Sequence, residues 1–280
     1  MQFAFGDFGP LRLKNLALLT CLVALAACSD DKPKLEYVER PVEELYNEAV
    51  DSALEGDYKK AAPLFDEVER QHPYSVWATQ AQLMAAYSLY QNNKYDEAIN
   101  ALDRFIQLNP SNQNVDYAYY LKGLSYYEQI VDVGRDQKLT KNAMETLQEL
   151  VQRFPESGYS RDALLKLDLT RNHLAGKEME IGRFYLREEK YLAAINRFKR
   201  VVENFDTTDQ VPEALHRLTE AYAALGLHEQ AERTAAVLGY NYPGSQWYQD
   251  SYALMTTGAN RGSGASDDDD GLLGLDLWIF

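Results

Sequence analysis

Apolar and small positions recur along the chain in one register, five times over. An alanine stands at Ala61, Ala98, Ala143, Ala194 and Ala231, and four residues on comes Phe65, Leu102, Leu147, Phe198 or Ala235. Three beyond that is Val68, Phe105, Leu150, Val201 or Leu238, and three before the alanine is Tyr58, Tyr95, Thr140, Tyr191 or His228. Steps of three, four and three place these side chains on one stripe of an α-helix. Each such helix runs into a corner: His72-Pro73-Tyr74-Ser75, Asn109-Pro110-Ser111-Asn112, Phe154-Pro155-Glu156-Ser157, Phe205-Asp206-Thr207-Thr208 and Tyr242-Pro243-Gly244-Ser245. Proline lacks an N–H and disfavours helix in the residue before it, so these corners are stops.

A second helix precedes each of these. Twelve residues before the alanine stands a small residue, Ala49, Ala86, Gly182 or Thr219, and Gly123 takes that place in the third unit if eight extra residues are accommodated. Gly56 and Gly226 mark tight turns within pairs. Helix pairs with this pattern of small, aromatic, alanine and proline positions are tetratricopeptide-like repeats. The insertion Asp132-Val133-Gly134-Arg135-Asp136-Gln137-Lys138 lengthens the turn of unit three. A longer gap before the fourth corner lengthens the helices around Arg161 to Lys190, with Gly176 as a break. No strand pattern appears, so the fold class is all-α, a solenoid of five helix-pair units over residues 42–257. No repeat buries its apolar face alone; stacking gives a curved superhelix whose concave groove takes a peptide or a helix.

The first residues carry a different signal. Arg12 and Lys14 precede an uncharged apolar run, Leu16 to Ala27, too short to span a bilayer, which takes about 20 residues. It reads as the core of an export signal over residues 1–27. The run ends in Leu25-Ala26-Ala27-Cys28, a lipobox, which makes Cys28 the acceptor of a diacylglyceryl group and residues 28–41 a polar tether. Asp7 is foreign to the basic start of such a signal, and the translation start is expected after Met1. Two or more acyl chains anchor stably at about 0.8 kcal/mol per buried methylene. Ser29 after the cysteine, rather than aspartate, favours the outer membrane over the inner.

Composition narrows the function. A net charge of −15 removes nucleic acid as a partner, since a polyanion needs a basic footprint. The two cysteines both lie in the leader region, so no disulfide framework or cysteine metal site is expected. His72, His173, His216 and His228 have no ligand spacing, and no phosphate loop or GxSxG occurs. No metal, no cofactor beyond the covalent lipid and no catalysis are expected. Glu43-Glu44, Asp66-Glu67-Glu69 and Glu188-Glu189 read as solvated helix faces. Residues 258–280 read as a disordered acidic linker, with Asp267 to Asp270, followed by the apolar tail Leu272 to Phe280. That tail is costly to leave in water. It docks on its own scaffold, on a partner or at the membrane.

Two stretches carry a family resemblance: Tyr120-Leu121-Lys122-Gly123-Leu124-Ser125-Tyr126-Tyr127-Glu128-Gln129-Ile130 leading into Asp132-Val133-Gly134-Arg135-Asp136-Gln137, and Leu169-Thr170-Arg171-Asn172-His173-Leu174-Ala175-Gly176-Lys177-Glu178-Met179-Glu180-Ile181-Gly182. With the lipobox and the five units, they resemble the BamD (ComL/YfiO) family in its alphaproteobacterial form, over about residues 25–255. The resemblance implies a lipoprotein of the β-barrel assembly machinery on the periplasmic leaflet of the outer membrane. It implies as partners a BamA-like barrel subunit with POTRA domains, other lipoproteins of that machinery, and unfolded outer-membrane barrel proteins. It implies that Arg197 contacts the barrel subunit; the residue reads equally as a solvated helix arginine. For a groove receiving the terminal strand of unfolded barrels, Tyr46, Tyr74, Trp77, Tyr87 and Tyr90 are the candidates, and core packing is the competing account of each. Another periplasmic repeat adaptor, a secretin pilot or a TolA-binding coordinator, is the alternative.

Overall fold

The computed structural model describes residues 39–262. The signal-peptide residues, the lipobox Leu25-Ala26-Ala27, Cys28 and the tail Leu272 to Phe280 lie outside them. The described helices all lie in the unit Pro41–Phe280. They are α1 (Val42–Leu54), α2 (Tyr58–Gln71), α3 (Val76–Gln91), α4 (Tyr95–Leu108), α5 (Val115–Tyr127), α6 (Lys138–Arg153), α7 (Ser160–Arg187), α8 (Tyr191–Asn204), α9 (Val211–Ala224), α10 (His228–Asn241) and α11 (Gln246–Gly262). No strand occurs among the described residues. Each helix packs on its neighbours in sequence, so α1/α2, α3/α4, α5/α6, α7/α8 and α9/α10 are the five pairs.

The repeated register is the core. Ala61, Ala98, Ala143, Ala194 and Ala231 are all 0% exposed, and Phe65, Leu102, Leu147 and Phe198 are equally sealed. In units three and four, the large residue of the second helix enters a notch left by the glycine of the first. A Cβ on Gly123 would lie 2.5 Å from Leu147 Cδ2, and one on Gly182 would collide with the Phe198 ring. Gly123 therefore holds the place assigned to it, and the extra residues sit in the loop after α5. The core comes in consecutive clusters that straddle units. Phe65 and Val68 of unit one pack with Ala81 and Ala85 of α3, and Leu102 and Phe105 of unit two with Ala118 and Leu121 of α5. Truncating a sealed Phe of this kind to Ala costs about 3–5 kcal/mol.

All five corners share one geometry, with or without proline. The residue ending each helix, His72, Asn109, Phe154, Phe205 or Tyr242, has φ between −136° and −128°, and its N–H still bonds the carbonyl four residues back. Three residues on, the N–H of Ser75, Asn112, Ser157, Thr208 or Ser245 returns to that residue's carbonyl at 3.0–3.1 Å. Ser75 and Ser245 then cap the next helix by accepting from the N–H of Ala78 and Tyr248, each at 3.1 Å. The corner thus stops one helix and starts another.

The turns within pairs also share a geometry. Gly56, Asn93, Glu189 and Gly226 all have positive φ, at 80°, 57°, 56° and 71°. After each, the N–H of Asp57, Lys94, Lys190 or Leu227 returns to the carbonyl five residues back, which satisfies the helix end. Glycine and asparagine suit this conformation, whereas a glutamate there carries strain of about 1–2 kcal/mol. Glu188-Glu189 is therefore a helix cap and turn, not a helix face.

Two further expectations change. Gly176 does not break α7, which runs unbroken through 28 residues. Its first half packs Ala163 and Leu167 into unit three, and its second half packs Ala175 and Met179 into unit four. Shared burial at both ends outweighs the roughly 1 kcal/mol helix penalty of one glycine. Beyond the fifth corner comes an additional helix, α11, which runs to Gly262, past residue 257. It is pinned to α9 by His216 Nδ1 against Ser251 Oγ at 2.8 Å, by the His216–Trp247 ring contact, and by Arg217 over the Trp247 ring. A lone glycine at 258 does not stop such a helix.

The glycines give a paired test by chemical denaturation. Gly182→Ala is expected to lower stability by about 1–2 kcal/mol, because the Phe198 ring must shift. Gly176→Ala, whose nearest neighbour would be Val133 Cγ1 at 3.7 Å, is expected to raise stability by up to about 1 kcal/mol. Glu189→Gly is expected to raise the melting temperature by relieving the turn.

Candidate functional site

Three features stand out on the scaffold: a row of tyrosines, a braced loop, and an arginine pair around one carboxylate. The tyrosines come from the first helices of units two and three and the turns beside them. Tyr87 and Tyr90 lie three apart on α3, and Tyr117 and Tyr120 three apart on α5, so each pair shares a helix face. Tyr58 meets Tyr87 edge-on with ring centres 6.0 Å apart, and Tyr90 meets Tyr95 at 5.7 Å. Tyr159, at the start of α7, lies 5.1 Å from both Tyr117 and Tyr120. Burial pushes the Tyr117 hydroxyl well above the usual phenol range, and the phenols of Tyr87, Tyr159 and Tyr90 push it further. Tyr87, Tyr90 and Tyr117 also pack against one core cluster, which brings the two units' tyrosines together.

The five aromatic residues named from sequence divide differently. Tyr87 and Tyr90 belong to the row, half-buried. Tyr46 packs on Phe65 and on Trp77, with ring centres 5.6 and 4.7 Å apart, in the core of unit one. Tyr74 stands in the first corner, fully exposed. The row's other members, Tyr58, Tyr95, Tyr117, Tyr120 and Tyr159, were missed. The repeated three-residue spacing of 87/90 and 117/120 was the signal for two of them; Tyr159 arrives only through the stacking of α7 on α5.

Tyr120 also donates to Asp162 Oδ2 at 2.6 Å. That bond, with Lys166 adding to it, holds the Asp162 carboxyl below its usual range. Burial first, and then the Asp162 carboxylate, pushes the Tyr120 hydroxyl above its own. The row thus sets partly exposed ring faces and phenols beside the Asp162 carboxylate.

The two stretches that carried the family resemblance pack against each other. Gln137 Nε2 donates to the carbonyls of Asp132, Val133 and Arg135 at 3.0–3.3 Å, folding the loop around one amide. Its Oε1 accepts from Thr140 Oγ1 at 3.0 Å and faces His173 Nδ1 at 2.9 Å. With the amide nitrogen committed to carbonyls, the oxygen must accept, so this network assigns the proton to Nδ1 of His173. Lys177 Nζ donates to the Gly134 carbonyl at 2.9 Å. Val133 rests over Gly176 of α7 at a distance that leaves room for a methyl group.

Arg197 lies on α8 with its Nη1 3.0 Å from Glu178 Oε2 of α7, and Arg200, one turn on, lies 3.7 Å from Glu178 Oε1. Arg197 is neither fully solvated nor sealed: its side chain is 29% exposed. Two guanidiniums around one carboxylate leave a net positive edge on α8. Among the described residues, no three His, Cys, Asp or Glu gather as a metal site, and no helix is long and apolar enough to cross a membrane.

Gln137→Ala is expected to cost about 1–3 kcal/mol, because three carbonyls and His173 lose one shared partner; amide exchange in 132–137 should quicken with it. The Tyr120–Asp162 bond predicts a pH window. Asp162, lowered in the fold, contributes above its unfolded pKa near 4 and loses the contribution as pH falls through the folded value. Tyr120, raised, contributes below its unfolded pKa near 10 and loses it as pH rises. Tyr120→Phe should therefore be less stable than the parent between about pH 4 and 10, with the gap closing on acidification in urea titrations at stepped pH.

Comparison with known proteins bears on the same residues. The family model described as YfiO, outer membrane lipoprotein, matches residues 38–238. The chain is 50% identical over 249 residues to a Caulobacter vibrioides protein, covering 88% of this chain and 82% of that one. It is 46% identical to a Rickettsia prowazekii protein, covering 85% and 95%, and 35% identical to one from Neisseria meningitidis serogroup A, covering 83% and 93%. Each of the three is named outer membrane protein assembly factor BamD. Among solved structures, the TPR2AB domain of yeast Sti1 is 12% identical with a TM-score of 0.40, covering 79% of this chain and 84% of that one; at that distance the repeat assignment rests on the helix pairs themselves. The chain belongs to the YfiO family of outer membrane lipoproteins.

Proposed function

We propose that the chain is an outer-membrane protein assembly factor of the BamD type. It is the lipoprotein subunit of the β-barrel assembly machinery, a scaffold without catalytic chemistry. The observation that carries this reading is the 50% identity to the Caulobacter factor across 88% of the chain. The matched relatives share that one name. Neither a secretin pilot nor a TolA-binding coordinator has comparable support.

Within that role, Cys28 carries the acyl anchor and places the scaffold on the periplasmic leaflet of the outer membrane. The tyrosine row across units one to three receives the terminal strand of an unfolded barrel protein. Such a strand alternates apolar side chains and ends in an aromatic ring, and a row of ring faces complements it. The α8 edge carrying Arg197 and Arg200 meets the POTRA domains of the barrel subunit. Opening the Glu178 pair exposes two arginine forks for an acidic partner. Other lipoproteins of the machinery complete the assembly.

Purification from membranes in mild detergent should bring down a POTRA-containing barrel protein with the chain; its absence would sink the reading. Cys28→Ala should move the protein from the membrane to the soluble fraction. Tyr117→Ala is expected to cut photo-crosslinking of a barrel protein's terminal-strand peptide severalfold, while Tyr74→Ala, altering a corner residue outside the row, leaves it unchanged.

A further inference from the structure

Long side chains of the second helices of successive units reach toward one another over the first helix of the next unit, and three register positions meet in each such seam. One is the eighth residue after the alanine of one unit. Another is the sixth after the alanine of the next. The third, on the floor, is the fourth before the small residue of the next unit's first helix. Between units one and two these are Glu69, Arg104 and Gln82. Glu69 Oε2 lies 2.6 Å from Arg104 Nη2, and Gln82 Nε2 donates to Glu69 Oε1 at 2.8 Å. Between units two and three, Tyr119 donates to Glu149 at 3.0 Å. Between units three and four, Arg200 faces Glu178 at 3.7 Å. Each of these three seams is closed by a polar bridge.

The fourth seam is not bridged this way. Between units four and five the same positions are Val202, Val237 and Leu215. An apolar cleft of about 240 Å³ opens there, floored by Leu215, Leu218 and Tyr222 and edged by Lys199, Glu203 and Arg233, the last paired with Glu229. Val237 is 45% exposed at its side. The first position is also apolar in the second and third seams, at Ile106 and Val151, so the fourth seam differs at the two positions that carry the polar bridge elsewhere, where Val237 and Leu215 stand. The result is an exposed apolar cleft that a bound apolar segment would cover.

We propose that the occupant is this chain's own segment Leu272 to Phe280. Three observations converge on it. The segment is apolar, with Leu275, Leu277 and Ile279 in alternation, and its burial would remove the cost of leaving it in water. Asp267 to Asp270, just before it, carry the charge opposite to Lys199 on the cleft's edge. Residues 263–271 span about 30 Å when extended, and the helix they leave, α11, packs directly on α9 and α10. The tyrosine row, by contrast, lies on the units farthest along the chain from α11. The tail therefore closes the C-terminal seam, where the acidic bridge of the other seams is replaced by an acidic linker from the same chain.

Hydrogen exchange on the full chain tests this, using the detergent-free Cys28→Ala form. Replacing Leu277 and Ile279 together by Asp should speed exchange at least fivefold in peptides covering Val202 and Val237. Val237→Asp, at an exposed site that leaves the core intact, should speed exchange within 272–280 by a similar factor. Lys199→Glu with Arg233→Glu should weaken the same protection, and added salt should do so in the parent. Unchanged exchange in both the tail and the cleft variants would overturn the proposal. So would protection that grows with protein concentration, which would make the occupant a second copy, or protection of the tail that arises only on adding phospholipid vesicles.

Discussion

The close approach of two helices, made by a small residue facing a large one, is the constraint on which this molecule rests. Gly182 against Phe198 and Gly123 against Leu147 let paired helices come near enough that a buried ring or leucine fills the gap without a void. The alanines of the second helices are sealed in the same register. Because the apolar face of one pair is covered by the first helix of the next, no unit closes its own core. The stability of each pair is tied to its neighbours, as in any quasi-one-dimensional array.

The surface proposed to receive a bound chain follows from that spacing rather than from any single pocket. Held at a fixed separation, α3 and α5 bring the pairs Tyr87/Tyr90 and Tyr117/Tyr120 into one row, and α7 adds Tyr159 to it. None of these rings contributes a reactive group; together they make a surface that ring faces and aliphatic side chains can occupy. The long α7 is the other device. It serves two clusters at once, and on its side the loop 132–137 is held by Gln137, His173 and Lys177. Its Glu178 meets the arginines of α8. The stretches by which the chain is related to its family are thus structural partners, one bracing the other.

The seams between second helices show how the same scaffold is varied. With Val237 and Leu215 where the other seams carry a polar bridge, the backbone register is kept and the surface changes. A repeat fold tolerates such exchanges because the sealed positions and the seam positions fall on different faces of the same helix.

Much of the fold was legible in the residues themselves. The helix pairs, the sealed alanines, Gly123 as the third notch, and the positive-φ turns at Gly56 and Gly226 follow from spacing and from what each side chain permits its backbone. The local pattern could not reveal features that depend on what lies across the gap. Gly176 looks like a break until Val133 is seen over it and both halves of α7 are seen buried. Glu189 looks like a solvated helix residue until the turn geometry of its neighbours imposes positive φ upon it. Tyr46 lies against Phe65 and Trp77 rather than beside Tyr87 and Tyr90, while Tyr117, Tyr120 and Tyr159 come together because α5 and α7 stack. Sequence determined the units and their register, since those depend on contacts within a few turns of helix. Tertiary structure decided which faces meet and which remain open, since that depends on residues brought together from distant parts of the chain.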